Sequence, residues 1–325
     1  MKNFLDKISI PIKSNLDEFD KHFDSSLESE VKTINTIVKY LVRKKGKRLR
    51  PRLSLLSAKI CGDVNIKTYK VASLLEILHV ATLVHDDVID ESNFRRGVFS
   101  INALWKNKIS VLVGDFLLSR GLLLAVENDE FTLLKIMSKA VKEMSEGELL
   151  QIEKTRKLNI TEEVYFEIIK KKTAALIAAC CESGASSANT SKENIKIMKQ
   201  FGENVGIAFQ IKDDLFDYTQ SPLIGKPTGL DIREKKMTLP LIFTLNQVDK
   251  VEKKFIINTI KNDSKNSKKV EKIIELVKEN KGLEFAESKM NYYFNESIKL
   301  LDNFENNDAK KSLTQLVEYV VKRKK

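Results

Sequence analysis

Residues that break helices are scarce in this chain, with 12 Gly and 5 Pro among 325 residues. Turns draw most heavily on these two types, so a fold of many short strands is disfavoured and long helices with short connections are favoured. Strand-like alternation is nowhere sustained. Cysteine is rare too. Cys61, Cys180 and Cys181 make neither a disulfide framework nor a zinc site. They read as small residues of a reducing compartment, the adjacent pair within an Ala-rich helix. Long apolar runs are missing. The longest clean one, Ala174 to Cys181, falls far short of a membrane span. Met1 to Asp20 holds no unbroken apolar core of signal-peptide length. A soluble, cytoplasmic protein is expected.

The net charge of +11 does not point to nucleic acid. Basic residues are scattered among helices, without aromatic interleaving or a binding signature. They read as a Lys-rich soluble surface, with some placed for an anionic ligand. The terminal Lys322-Arg323-Lys324-Lys325 reads as a solvated tail.

What the chain does contain is one acidic pattern, twice: Asp86-Asp87-Val88-Ile89-Asp90 and Asp213-Asp214-Leu215-Phe216-Asp217. Each puts three carboxylates inside about one helical turn, after an apolar run and near Lys or Arg. Like charges at this spacing repel by roughly 0.2–0.5 kcal/mol per pair, and an unpaired buried carboxylate costs far more. Such a sequence is expected to hold something cationic between the clusters. Oxygen ligands without His or Cys suit Mg²⁺, which keeps waters and usually binds phosphate as well.

Helical periodicity predicts helices at about 28–44, 51–61, 66–91, 100–126, 129–155, 161–184, 191–219, 237–247, 250–261, 266–279, 281–304 and 308–322. Short connections imply antiparallel neighbours, hence an all-α fold: one large antiparallel bundle around a central cavity. A single domain over 1–325 is expected, with its motifs in about 46–240 and a helical C-terminal part at about 245–325. The Lys-rich stretch 250–280 reads as an exposed, peripheral hairpin.

Along the first acidic helix, His79, Thr82, Asp86 and Asp90 fall on one stripe. The carboxylates sit at its C-terminal end, where the helix dipole is already negative. In the second, Gln210, Asp213, Asp214 and Asp217 repeat the spacing. Gly202 and Gly206 precede them and read as close helix packing. Lys47, Arg48 and Arg50 lie just before a Pro-initiated helix, a favourable place for an anion. Arg95 and Arg96 either neutralise the first cluster or grip a phosphate. Lys172 either snorkels to water or joins a site with Thr173. Lys226 and Lys236 flank a Gly- and Pro-containing stretch that suits a lid over phosphates.

Together these residues resemble the trans-isoprenyl diphosphate synthases of the polyprenyl synthetase family. The matching pieces are Gly46 to Pro51, the first Asp motif with Arg95-Arg96, Gly114-Asp115, and Gly147-Glu148 to Gln151. Further pieces are Lys172-Thr173, Phe209-Gln210 with the second Asp motif, the GKPTGLD loop, and Lys235 to Pro240. Lys45 and Lys235 depart from the pattern, standing where relatives often carry glycine.

The resemblance implies the isoprenoid synthase fold, a homodimer, and Mg²⁺ ions, on the order of three per active site, held by Asp86, Asp90 and Asp213. Asp87, Asp214 and Asp217 would support them. Arg95, Lys172, Lys226 and Lys236 would surround the diphosphate of an allylic substrate. Lys47, Arg50, His79 and Arg96 would bind isopentenyl diphosphate, and Thr173 and Gln210 would lie near the allylic substrate. Ala81 and Thr82, five and four residues before Asp86, would set product length. Neither is aromatic, so a long octaprenyl- or solanesyl-type product for quinone tails is expected, with transient membrane contact on release. The rival readings are a shorter farnesyl or geranylgeranyl synthase, a class I terpene cyclase, a non-catalytic subunit of a heteromeric synthase, and a helical interaction protein.

Overall fold

A computed structural model of the protein describes residues 2–43, 46–95, 98–127, 130–219 and 228–323. The described chain is helical apart from one two-residue β-pair. In order, the elements are α1 (Lys2–Ile8), a 3₁₀ turn (Ile10–Ile12), α2 (Lys13–Ser26), α3 (Lys32–Arg43), α4 (Leu49–Cys61) and α5 (Ile66–Ile89). The strands β1 (Phe94–Arg95) and β2 (Val98–Phe99) follow, pairing antiparallel. Next come α6 (Ile101–Val126), α7 (Phe131–Lys157), α8 (Glu162–Ile169), a π-turn (Lys170–Ala174), α9 (Ala175–Ser187) and α10 (Lys192–Asp217). The chain closes with α11 (Leu230–Arg233), α12 (Leu239–Gln247), α13 (Lys250–Asn262), α14 (Ser267–Glu279), α15 (Gly282–Leu301) and α16 (Asp308–Lys322).

The chain divides into two compact units, each made of discontinuous segments. The first comprises 1–139, 176–199 and 303–316, the second 140–175, 200–302 and 317–325.

In the first unit α5 is the central element. Asn65 caps it by accepting from the backbone N–H of Lys67 and Thr68, and Thr68 returns the bond to Asn65. Leu74, Leu75, Ile77, Leu78 and Ala81 are buried along it. Helix α6 packs closely on α5 because Gly114 has no side chain. A Cβ there would lie 2.2 Å from His85 Nε2. The close contact fixes the end of α5 that carries the first acidic motif. Similarly, Gly184 brings α9 against the backbone of α4 at Ser54.

Helix α6 is the one described helix long and apolar enough to cross a membrane by length and composition, and 33% of its most apolar window is buried. Asp115 and Arg120 stand among its apolar residues. Lys106 (φ 69°, ψ 162°) breaks its helical geometry near the start, a conformation that glycine adopts without strain.

The second unit has a contiguous apolar core that includes Ile207, Ile211, Leu239, Ile256, Ile273 and Val277. This corrects the expectation of a peripheral hairpin at 250–280. Helices α13 and α14 bury Ile256, Ile260, Val270, Ile273, Ile274 and Val277. Their lysines are confined to the other faces, as an amphipathic helix requires. The N-terminal helices α1 and α2 were outside the sequence expectation. Leu16, Phe19 and Phe23 of α2 are buried at helical spacing, but the stripe is thin and surrounded by charge.

Candidate active site

In the second unit, four helical segments converge around the second acidic motif. The π-turn at 170–174 is the most unusual of them, since a π-turn interrupts regular i→i+4 bonding and tends to occur where function needs it. Two glycines accommodate it. A Cβ on Gly147 of α7 would lie 2.8 Å from Lys172 N, and one on Gly206 of α10 would lie 2.5 Å from Ala174 Cα. The expected packing role of Gly206 is therefore specific, placing the turn that carries Lys172 and Thr173. Gly206→Ala is expected to destabilise the fold by about 1–3 kcal/mol through overpacking against backbone. Thermal unfolding checks this, with Ala208→Gly, a few residues along the same helix, as a comparison.

From that turn, adjacent side chains reach opposite neighbours. Lys172 ion-pairs with Glu148 and donates to Gln151 Oε1 at 3.2 Å, both on α7. It is held by partners rather than snorkelling to water. Thr173 Oγ1 donates to Gln210 Oε1 at 2.7 Å. Gln210 Nε2 passes a bond on to Asp214 Oδ1 at 2.9 Å, and Tyr165 Oη donates to Asp214 Oδ2 at 2.6 Å. Burial and the Asp214 charge push the Tyr165 phenol well above its ordinary value, so it remains a donor. Sequence reading missed Tyr165, because an isolated Tyr on α8 carries no motif signal.

The three carboxylates of the second motif take different roles. Asp214 is buried, and burial pushes its carboxyl up to about 7 against the opposing effect of its two hydrogen bonds. Asp217 accepts from the backbone N–H of Leu230 and Asp231 at 2.8 and 3.0 Å, anchoring the start of α11. Asp213 is the more open group, its side chain 40% exposed. Arg323 donates to Asp213 Oδ1 at 2.5 Å, with its own side chain only 8% exposed. This corrects the reading of 322–325 as a solvated tail: Arg323 is packed in, and Lys324 and Lys325 lie outside the described residues.

Asp231 adds a further acidic group, pushed up to about 8 by burial and by the neighbouring charges of Asp214 and Asp217. Lys236 pairs with Glu234 at 2.7 Å. Beside it Lys235 has a φ of 62°, a left-handed position. This explains why glycine suits that place, where the sequence departs from the family pattern. A cavity of about 140 Å³ is lined by Lys172, Thr173, Gln210, Asp214, Asp231 and Lys236, with Ile160, Ile168 and Met237 forming its apolar wall.

In the first unit, Asp86 is half-buried, Asp87 buried and Asp90 exposed at the C-terminal end of α5. Asp87 and His79 line a second cavity, of about 90 Å³, with Tyr40, Glu76, Val84 and Phe99. Ala81 is 1% exposed, one turn from both Ile77 and His85, which lie against Gly121 and Gly114 of α6. Thr82 Oγ1 donates to His79 O at 2.9 Å. Arg50 lies in the first turn of α4 and Lys47 just before it, with Lys47 O accepting from Arg52. Arg48 instead pairs with Asp20 at 2.7 Å. Arg96, Lys226 and the side chain of Arg95 lie outside the described residues, as does Lys45.

Among the described residues no three carboxylate, imidazole or thiolate side chains converge on a point that would hold a metal alone. Mg²⁺ needs no such cage, since one or two carboxylates suffice when phosphate oxygens and water complete its shell. The donor set fits it. It is all oxygen, and the half-open Asp213 already carries a cationic partner in Arg323.

Comparison with known proteins agrees with the motifs. Residues 31–277 match the Polyprenyl synthetase family. The chain is 33% identical over 323 residues to the all-trans-nonaprenyl-diphosphate synthase (geranyl-diphosphate specific) of Rhodobacter capsulatus, covering 99% of this chain and 98% of that one. It is 39% identical over 221 residues to the octaprenyl diphosphate synthase of Escherichia coli K12, covering 68% of each. A solved polyprenyl synthase from Caulobacter crescentus CB15, complexed with calcium and isoprenyl diphosphate, superposes with a TM-score of 0.91 at 33% identity, covering 99% of this chain and 98% of that one. Other similar proteins are named for heptaprenyl and geranylgeranyl products. With its all-α isoprenoid synthase fold, the chain belongs to the polyprenyl synthetase family and is a trans-prenyltransferase.

Proposed function

We propose that the protein condenses an allylic diphosphate with successive isopentenyl diphosphates to a long all-trans polyprenyl diphosphate, in the cytoplasm, for quinone side chains. The observation that carries this reading is the hydrogen-bonded row Thr173–Gln210–Asp214–Tyr165, with Lys172 at one end and the open Asp213 beside the other. It sets cationic and carboxylate groups against an apolar wall. That suits a substrate with a charged head and a hydrocarbon tail.

In the reaction the allylic C–O bond breaks, and its electron pair leaves with the diphosphate. The isopentenyl double bond then attacks the allylic cation, and a proton passes to the released pyrophosphate to restore an alkene. Bound Mg²⁺ would supply charge stabilisation of the leaving diphosphate. Asp86, Asp90 and Asp213 would hold it, supported by Asp87, Asp214 and Asp217. Lys172, Lys226, Lys236 and Arg95 would supply positive charge to the diphosphate as negative charge develops on it. Lys47, Arg50, His79 and Arg96 would bind the second diphosphate. Apolar side chains such as Ile168 and Met237 exclude the water that would turn the cation into an alcohol.

The test is direct. The pure protein, Mg²⁺ and isopentenyl diphosphate are incubated with geranyl, farnesyl or geranylgeranyl diphosphate, and product masses are read. Products in the octaprenyl to nonaprenyl range are expected. Products ending at geranylgeranyl would replace the long-chain reading with the shorter one. Turnover of an allylic diphosphate without isopentenyl diphosphate would favour a cyclase.

The active form is proposed to be a homodimer assembled on α6. Val111, Leu112, Leu122, Leu123 and Val126 stand 37–56% exposed along that helix, an apolar stripe that a soluble protein seldom leaves uncovered. Light scattering is expected to give twice the 37.1 kDa chain mass. Leu112→Asp with Leu123→Asp is expected to give the monomer. A monomeric wild type would remove this part of the reading.

A further inference from the structure

The end of α16 places one cation where the site needs charge. Phe209, Asp213 and Phe216 lie at i, i+4 and i+7 on one face of α10. The Arg323 guanidinium lies over both rings, 4.2 Å from the Phe209 centroid and 5.4 Å from that of Phe216. It donates to Asp213 Oδ1 at 2.5 Å, although the two residues are 110 apart in sequence. Arg323 Nε is buried and finds no acceptor among the described residues. The cradle is therefore specific for a flat cation, yet leaves part of that cation's hydrogen-bonding capacity unused.

We propose that Arg323 is a further residue of the diphosphate site: a tethered counter-ion that occupies Asp213 and must be displaced by the divalent metal. This rests on the reading of Asp213 as a metal ligand. A guanidinium and a divalent cation on one carboxylate repel each other, and Arg323 takes up one of the lone-pair positions through which Asp213 would meet the metal. Asp214 and Asp217 offer no easy alternative, because their oxygens are already engaged with Tyr165, Gln210 and the backbone of α11. Metal entry thus releases the end of α16. Before the metal arrives, Arg323 offsets part of the negative charge at Asp213.

The experiment is a Mn²⁺ titration of the full chain, with free ion followed by electron paramagnetic resonance. Wild type is compared with Arg323→Gln, with Arg323→Met, which keeps an apolar stem over the rings, and with Asp213→Asn. Without the competing charge-assisted bond, both Arg323 variants are expected to bind Mn²⁺ about three- to tenfold more tightly. Hydrogen exchange over 317–323 is expected to rise when Mg²⁺ is added to wild type. Thermal melts confirm that the variants fold, and the methionine variant serves if the glutamine variant does not. Equal or weaker Mn²⁺ binding by the folded variants, or unchanged exchange over 317–323, overturns the proposal while leaving the metal reading intact. If wild type binds no Mn²⁺ that Asp213→Asn removes, the metal reading falls and the proposal falls with it.

Discussion

Asp213→Asn is expected to lower kcat by about 10³-fold or more, whereas Asp214→Asn lowers it by a smaller factor. Stabilising a diphosphate leaving group with a bound metal is a matter of several kcal/mol, and about 4 kcal/mol corresponds to 10³ in rate. The asymmetry follows from the geometry. Asp213 keeps its carboxylate 40% exposed, with Arg323 donating to it. Asp214 is turned inward to Tyr165 and Gln210, and its carboxyl, raised to about 7 by burial, already shares the character of a neutral group near physiological pH. Asparagine keeps an oxygen to accept from Tyr165, so its effect is mainly one of alignment. Steady-state rates at saturating Mg²⁺ and both substrates check the ratio. A larger loss for Asp214→Asn than for Asp213→Asn would reverse the assignment of which carboxylate meets the metal.

Ala81→Phe is expected to shorten the product by several isoprene units while leaving the first condensation within a few-fold of wild type. Ala81 lies five residues before Asp86, about 7.5 Å along the helix from the first motif. It is 1% exposed, between Ile77 and His85 on the face of α5 that meets α6. On the proposed long-chain reading, its methyl-sized side chain would let a growing hydrocarbon chain pass, whereas a phenyl ring would block it. Overpacking will cost stability as well, about 1–3 kcal/mol, so Ala81→Leu is included to separate general loosening from a stop in the chain path. Product masses after exhaustive incubation with isopentenyl diphosphate decide the matter. An unchanged length distribution in a folded, active Ala81→Phe protein removes Ala81 as a determinant of length.

Most helices were legible because a 3.6-residue apolar period is a local property. It predicted α5 and α10 to within a few residues, along with the acidic clusters at their ends. The N-terminal α2 escaped because its apolar residues Leu16, Phe19 and Phe23 are few and interspersed with Asp and Lys. The interior of 161–184 read as one continuous helix. Instead a π-turn divides it, permitted by two glycines on other helices, and no period in the turn's own residues announces that. The Lys-rich stretch 250–280 read as peripheral because charge dominates its composition, while its sparser apolar face decides its burial.

The sequence alone determined that the chain is helical and that two carboxylate rows lie beside basic residues, because helical periodicity and like-charge crowding are settled within a few residues of chain. It did not determine how the three carboxylates of the second row divide their work. Only tertiary structure decided that Asp214 faces Tyr165, 49 residues away, that Asp217 anchors α11, and that Asp213 stands open with Arg323 upon it. Hydrogen-bond partners of buried groups are chosen by which distant segments pack together, and a linear pattern does not encode that choice in its local spacing.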